Sequence, residues 1–215
     1  MLFGPMPTSR EPKPVRRRDA ASPPSAARVR ELLEESARVQ RALAASAAEP
    51  IARAASLLAE AFGEGRKALL FGNGGSAADA QHIAAEWSGR LSRERPALPA
   101  LALGVNPAEL TALANDYGFE RVFARLVEAH GHAGDVAIAI STSGRSPNVL
   151  AAVEEARARG LRTIALTGRG GTRLAERVEV ALVVPSDDTQ RIQEAHLAIG
   201  HVLAELVDAA LFPPA

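Results

Sequence analysis

The chain has 215 residues, 25 Lys+Arg against 25 Asp+Glu, 47% hydrophobic residues and no cysteine. That length suits one domain with attachments or two small ones, and zero net charge argues against a dominant nucleic-acid footprint. Without Cys there are no disulfides, thiolate metal sites or Cys nucleophiles, which fits a reducing, cytoplasmic setting. Lys13 and Lys67 are the only lysines, so Schiff-base chemistry has almost no candidate. No stretch approaches the ~20 apolar residues of a membrane-spanning helix.

Residues 1–25 are rich in proline and carry Arg16-Arg17-Arg18 with no apolar run behind them. A disordered tail is expected there, and no secretory signal. A basic arm touching an acidic partner is the alternative. Residues 26–215 are expected to form the folded domain, with a helical arm over 26–64. Val29, Leu32, Leu33, Ala37, Val39 and Leu43 recur at helical spacing, predicting a first helix over Ser25–Ala47. A second helix is expected from Pro50, suited to a first helical turn, to Phe62 before Gly63.

Short apolar runs then alternate with helical patterns. Strands are expected at Lys67–Phe71, Pro99–Leu103, Asp135–Ile140, Leu161–Leu166 and Val178–Val184. Helices are expected at Ser76–Ser88, Pro107–Ala114, Phe119–Ala129, Pro147–Arg159 and Thr189–Leu211, with one turn at Thr172–Ala175. This alternation predicts an α/β fold: a three-layer, doubly wound, five-stranded parallel sheet with two added N-terminal helices. Ligands in such sheets sit beyond the carboxyl ends of the strands.

Two of those loops suit an anion. Gly72-Asn73-Gly74-Gly75-Ser76 lets the backbone turn tightly and opens a helix whose N-terminus attracts negative charge. Gly72, Gly74 and Ala77 also fall on the dinucleotide pattern G-x-G-x-x-A. The acid that pattern needs would be Glu94, inside Ser92–Pro96 and not at a strand end. A glycine loop serving chain geometry alone is a further reading. The second loop, Ser141-Thr142-Ser143-Gly144-Arg145-Ser146 before Pro147, gathers four hydroxyls at a helix start. A cap needs one hydroxyl, so a phosphate monoester is the favoured occupant, with Ser146 as a simple N-cap the alternative. Neither loop has a P-loop lysine, which favours a small phosphorylated metabolite over ATP.

His82 and Glu86 stand one helical turn apart after the glycine loop. They suit a shared divalent metal such as zinc or, equally by spacing, a surface pair. His130 and His132 are expected in an exposed loop. Gln193 and His201 lie about 12 Å apart along one helix, so a common metal needs both side chains extended or a distorted helix start. His196, between them, suits a structural histidine.

Taken together, Gly72–Glu86, Asn115-Asp116, Ser141–Gly144 and Arg191-Ile192-Gln193-Glu194-Ala195-His196 resemble the sugar isomerase (SIS) domain family, and within it the isomerases of a phosphorylated heptose. The resemblance covers about Arg30 to Leu211 and implies a flavodoxin-like sheet. It implies conversion of sedoheptulose 7-phosphate to D-glycero-D-manno-heptose 7-phosphate, by a homotetramer with shared active sites. Neither nucleic acid nor membrane is an expected partner. Asn73, Gly74, Gly75, Glu86, Asn115, Asp116 and Gln193 are the implied sugar contacts. Ser141, Thr142, Ser143 and Ser146 are the implied phosphate ligands. His82, Glu86, Gln193 and His201 are the implied ligands of one Zn2+ per subunit. With proton-transfer chemistry, the resemblance makes Glu86 and His201 the acid–base pair. A non-catalytic SIS relative that binds the replication initiator shares the glycine loop and the R-I-Q-E-x-H motif. It lacks equivalents of Glu86 and His201, both present here. Arg145, where many members have Asn, and Gln190, where some have Asp, depart from the pattern.

Overall fold

The computed structural model describes residues 24–213. The expected tail therefore lies, apart from its last two residues, outside the described residues. The chain runs α1 (Ala26–Gly63), β1 (Ala68–Gly72), α2 (Gly75–Ser88), β2 (Ala100–Ala102), α3 (Pro107–Tyr117), a 3₁₀ turn (Phe119–Arg121) and α4 (Val122–His130). It continues through β3 (Val136–Ser141), α5 (Pro147–Ala158), β4 (Arg162–Gly168), α6 (Thr172–Ala175), β5 (Val180–Val184) and α7 (Thr189–Leu211). The five strands are all parallel, in the order β2-β1-β3-β4-β5. The expected three-layer sheet is the fold observed.

The strands read as continuous apolar runs because both sheet faces are covered. Side chains alternate between faces along each strand. Leu70, Ile138, Ile140, Ile164, Leu166 and Leu182 pack with α1, α2 and α7. Leu69, Phe71, Ala137, Ala139 and Ala165 pack with α4, α5 and α6. On the first face Trp87 is fully buried, edge-on to Phe62 with ring centroids 5.6 Å apart. α3 buries none of its residues.

The topology positions the site. β1 pairs with β2 on one side and with β3 on the other, and Gly72 stands opposite Ile140. The sheet reverses direction of growth there, which opens a crevice at its carboxyl edge. The glycine loop and the hydroxyl loop therefore leave the sheet side by side. At the opposite edge Asp135 accepts from Lys67 N (3.0 Å), Lys67 Nζ (2.5 Å) and His132 N (2.8 Å), tying the start of β3 to β1. Burial raises the Asp135 pKa, but the side-chain and backbone bonds of Lys67 and the backbone bond of His132 outweigh it. The carboxyl ends below its ordinary range.

The two expected N-terminal helices run as one 38-residue helix with Pro50 inside it. Proline denies the Ser46 carbonyl its usual N–H partner and crowds the preceding turn. The helix continues because one stripe is buried on both sides of the proline: Leu43 and Ala47 before it, Ile51, Ala54, Leu57 and Leu58 after it. α1 lies along α7 and β5, and that burial outweighs the local penalty. Arg191 of α7 adds a bond from Nη1 to the Leu32 carbonyl (3.0 Å). Pro50→Ala restores the missing donor. It should raise the free energy of urea unfolding by about 1–3 kcal/mol with the fold unchanged.

Candidate active site

The glycine loop turns at Gly74, whose φ of 56° is open to glycine and strained for most other residues. Asn73, just before it, exchanges two amide bonds with Asn148, 2.9 Å each way. Asn148 is buried at the start of α5, so this reciprocal pair joins the glycine loop to the hydroxyl loop. In the hydroxyl loop Ser141 Oγ lies 3.3 Å from Ser146 Oγ and accepts from Gly144 N at 3.2 Å. Arg145 N donates to Ser143 Oγ at 3.3 Å. Ser146 occupies the N-cap position of α5 but its side chain makes no capping bond. Its hydroxyl faces Ser141, which disfavours the simple cap and suits an anion at the helix start. Beside this loop is a cleft of about 190 Å³ whose lining includes Thr142, Ser143, Arg145, Ser186, Asp187 and Thr189.

Four residues of spacing on α2 bring His82 Nε2 to 3.3 Å from Glu86 Oε1. α7 adds the third group: His201 Nε2 lies 2.8 Å from His82 Nε2. One ligand atom from each of His82, Glu86 and His201 falls within 4.8 Å of the others. The two helices approach this closely because of Gly200. A Cβ at that position would overlap Ile83, the neighbour of His82. Two imidazole nitrogens and a carboxylate oxygen are a donor set that suits zinc.

Gln193 lies on α7 eight residues before His201. Its amide fills the space beside Gly75, where a Cβ would overlap it. Gly75 opens α2, some two turns before His82, in keeping with the axial separation of Gln193 and His201 along α7. Asn115 and Asp116 are exposed on α3 and bonded to each other at 2.9 Å. Neither makes a hydrogen bond to another predicted site residue among the described residues. His132 Nδ1 lies 3.1 Å from Lys67 Nζ, in an exposed loop as expected.

Three residues escaped the sequence reading. Asn148 had no signal in its pattern. Asp79 had one: it falls on the buried stripe of α2 with Ser76, Ala80, Ile83 and Trp87. Burial raises its pKa to about 6 against the pull of His82, and its Oδ2 has no hydrogen-bond partner among the described residues. Arg95 reaches the end of α2 from the following loop and is treated below. His196 is the packed histidine the sequence suggested, with 0% exposure. Among the described residues neither ring nitrogen meets a partner at hydrogen-bond geometry. Burial lowers its pKa to about 4, and the Thr167 backbone offsets only part of that.

A switch-point crevice between a glycine loop and a hydroxyl loop suits an anionic group, and the helix that leaves the glycine loop carries His82 and Glu86 to His201. Residues 31–168 match the SIS domain. A phosphoheptose isomerase from Thermodesulfovibrio yellowstonii is 50% identical over 185 residues, covering 86% of this chain and 92% of that protein. One from Aquifex aeolicus is 52% identical over 181 residues, covering 84% and 95%. The solved structure of phosphoheptose isomerase from Neisseria gonorrhoeae superposes with a TM-score of 0.80 at 43% identity, covering 85% of this chain and 98% of that one. The chain belongs to the SIS domain family and, within it, to the phosphoheptose isomerases, which are enzymes.

The depressed pKa of His196 sets a pH dependence. The unfolded imidazole takes up its proton near pH 6.5 and the folded one near 4. Stability present above pH 6.5 is thus lost as the pH falls towards 4, by about 3 kcal/mol from this group alone. Asp79, with its raised pKa, works in the opposite sense below about pH 6. The comparison with His196→Leu isolates the histidine. The variant should show a shallower loss of stability between pH 6.5 and 4 in urea titrations than the parent.

Proposed function

We propose that this enzyme converts sedoheptulose 7-phosphate to D-glycero-D-manno-heptose 7-phosphate through an enediol, in the cytoplasm, towards nucleotide-activated heptose. One observation carries the reading. A carboxylate and an imidazole from two different helices, Glu86 and His201, meet with His82 inside 4.8 Å. Such a pair can move a proton between adjacent carbons and between their oxygens.

Glu86 takes the proton from C1 of the ketose as the C2 oxygen gains one, giving the enediol. The same carboxyl group returns a proton to C2, and His201 carries the proton between the two oxygens. Imidazole can both accept and donate a proton, which suits that transfer. The hydroxyls of Ser141, Thr142, Ser143 and Ser146, with the Asn148 backbone N–H at the start of α5, hold the phosphate. Binding energy from that remote group aligns the reacting carbons. Asn73, held by Asn148, and the backbone of Gly74 and Gly75 contact the sugar.

His82, Glu86 and His201 would hold one Zn2+ per subunit, and a carboxylate with two oxygens can serve both the ion and the substrate. Bound zinc supplies polarisation of the carbonyl and stabilises negative charge on oxygen. Gln193, the implied fourth ligand, has its amide beside Gly75 at the start of α2, the helix that carries His82 and Glu86.

The enzyme assembles as a homotetramer. Val29 and Leu33 of α1 and Val202 and Leu206 of α7 are each more than 40% exposed, and α3 buries nothing. Packing between subunits would cover these faces and bring Asn115 and Asp116 of one subunit to the site of another.

With sedoheptulose 7-phosphate in D₂O, the parent enzyme should incorporate solvent deuterium at C1 or C2, read by NMR. Glu86→Gln should lower turnover at least ~100-fold with substrate binding kept, and undiminished turnover would remove Glu86 from the mechanism. Sedimentation should show a tetramer. Leu33→Glu combined with Val202→Glu should yield smaller species with reduced activity.

A further inference from the structure

We infer that Arg95 and Asp208 form a clamp that positions Glu86 of α2 against His201 of α7. Both side chains are almost fully buried, at 0% and 4% exposure. Arg95 Nε donates to Asp208 Oδ1 at 2.6 Å. Its Nη2 donates to the Glu86 carbonyl at 2.8 Å, and its Nη1 to the carbonyls of Trp87 (2.9 Å), Gly89 (3.3 Å) and Pro96 (3.0 Å). One guanidinium thus occupies the end of α2, where carbonyls lack helical partners and a cation is favoured.

The clamp acts at the right place on both helices. On α2 it holds the backbone of Glu86 itself. On α7 Asp208 follows His201 by seven residues, so the two lie within about 20° of one another on the same helix face. α2 and α7 are therefore fixed at three levels: Gln193 against Gly75, Ile83 against Gly200, and Arg95 with Asp208. The first two set how closely the helices approach. The third fixes the axial position and rotation of the Glu86 turn relative to α7 from the buried side, because hydrogen bonds are directional, and so supports the more exposed contact of His82 with His201.

A buried ion pair is a poor device for stability alone, since an apolar pair of similar volume serves as well. An apolar pair cannot satisfy four carbonyls and a carboxylate in one fixed fork. Lysine cannot either, although it keeps the charge. Arg95 and Asp208 are positioning residues, and the inference rests on the proposed roles of Glu86 and His201.

The test is Arg95→Lys, which retains the ion pair and loses the fork, with Asp208→Asn, which retains the carbonyl bonds and loses the charge-assisted tie to α7. Both variants are measured for thermal midpoint, steady-state kinetics on sedoheptulose 7-phosphate, and imidazole ¹H–¹⁵N NMR of the metal-free protein. In folded variants kcat should fall on the order of 10- to 100-fold while KM stays within about threefold, because the phosphate loop is untouched. The ring signals of His82 and His201 should lose the signature of their mutual contact. A folded Arg95→Lys enzyme with parental kcat and imidazole spectrum overturns the clamp. If that variant does not fold, parental values in folded Asp208→Asn overturn it. If the parent does not turn over the sugar phosphate, the isomerase reading falls, and the imidazole spectra alone decide the clamp.

Discussion

The close pairing of α2 with α7 is the constraint on which the site depends. Two helices normally pack with axes 8–10 Å apart, a distance set by the side chains between them. Gly200 removes one of those side chains where Ile83 presses in, and the imidazoles of His82 and His201 meet at 2.8 Å in consequence. The groups so gathered are all polar, and the layer beneath them is not. Trp87, Ile83 and Ile199 are buried under the pair, so the polar groups sit at the rim of a rigid apolar floor. Dense packing of that kind holds side chains in single rotamers.

Sheet topology supplies the second half of the site. Because β1 and β3 are adjacent, the glycine loop and the hydroxyl loop face one crevice, and the Asn73–Asn148 amide pair locks them together. The two halves of the candidate site are built by different means. Loops and helix termini make the first, where backbone N–H groups are needed. Packed helices make the second, where side-chain atoms must be held to within a fraction of an ångström. α1 braces both: Arg191, beside the motif on α7, bonds to the Leu32 carbonyl, and α1 carries the apolar stripe that buries α7.

Most of the sheet was legible in the sequence. Apolar runs of five or six between helical patterns have few physical readings other than a parallel sheet covered on both faces. The hydroxyl loop was legible as a candidate anion loop, since a run of hydroxyls before Pro147 exceeds what capping requires. The long α1 was misread as two helices because Pro50 is a strong local signal. The burial that outweighs it is visible only once α7 and β5 are in place. Asn148 and Arg95 were missed for the same reason: the side chains they pair with, Asn73 and Asp208, lie 75 and 113 residues away in the chain.

By itself the sequence determined which groups were available: His82 and Glu86 on one helical face, His201 far downstream, glycines and hydroxyls at strand ends. Periodicity and local propensity depend on neighbours a few residues apart, and those are written in order along the chain. Only the tertiary structure decided which of these groups touch. That Gln193 meets Gly75, that His201 meets His82, and that Arg95 spans Asp208 and the end of α2 all follow from the packing distance and rotation between two helices. Those quantities arise from the summed burial of many side chains, and no local pattern encodes them.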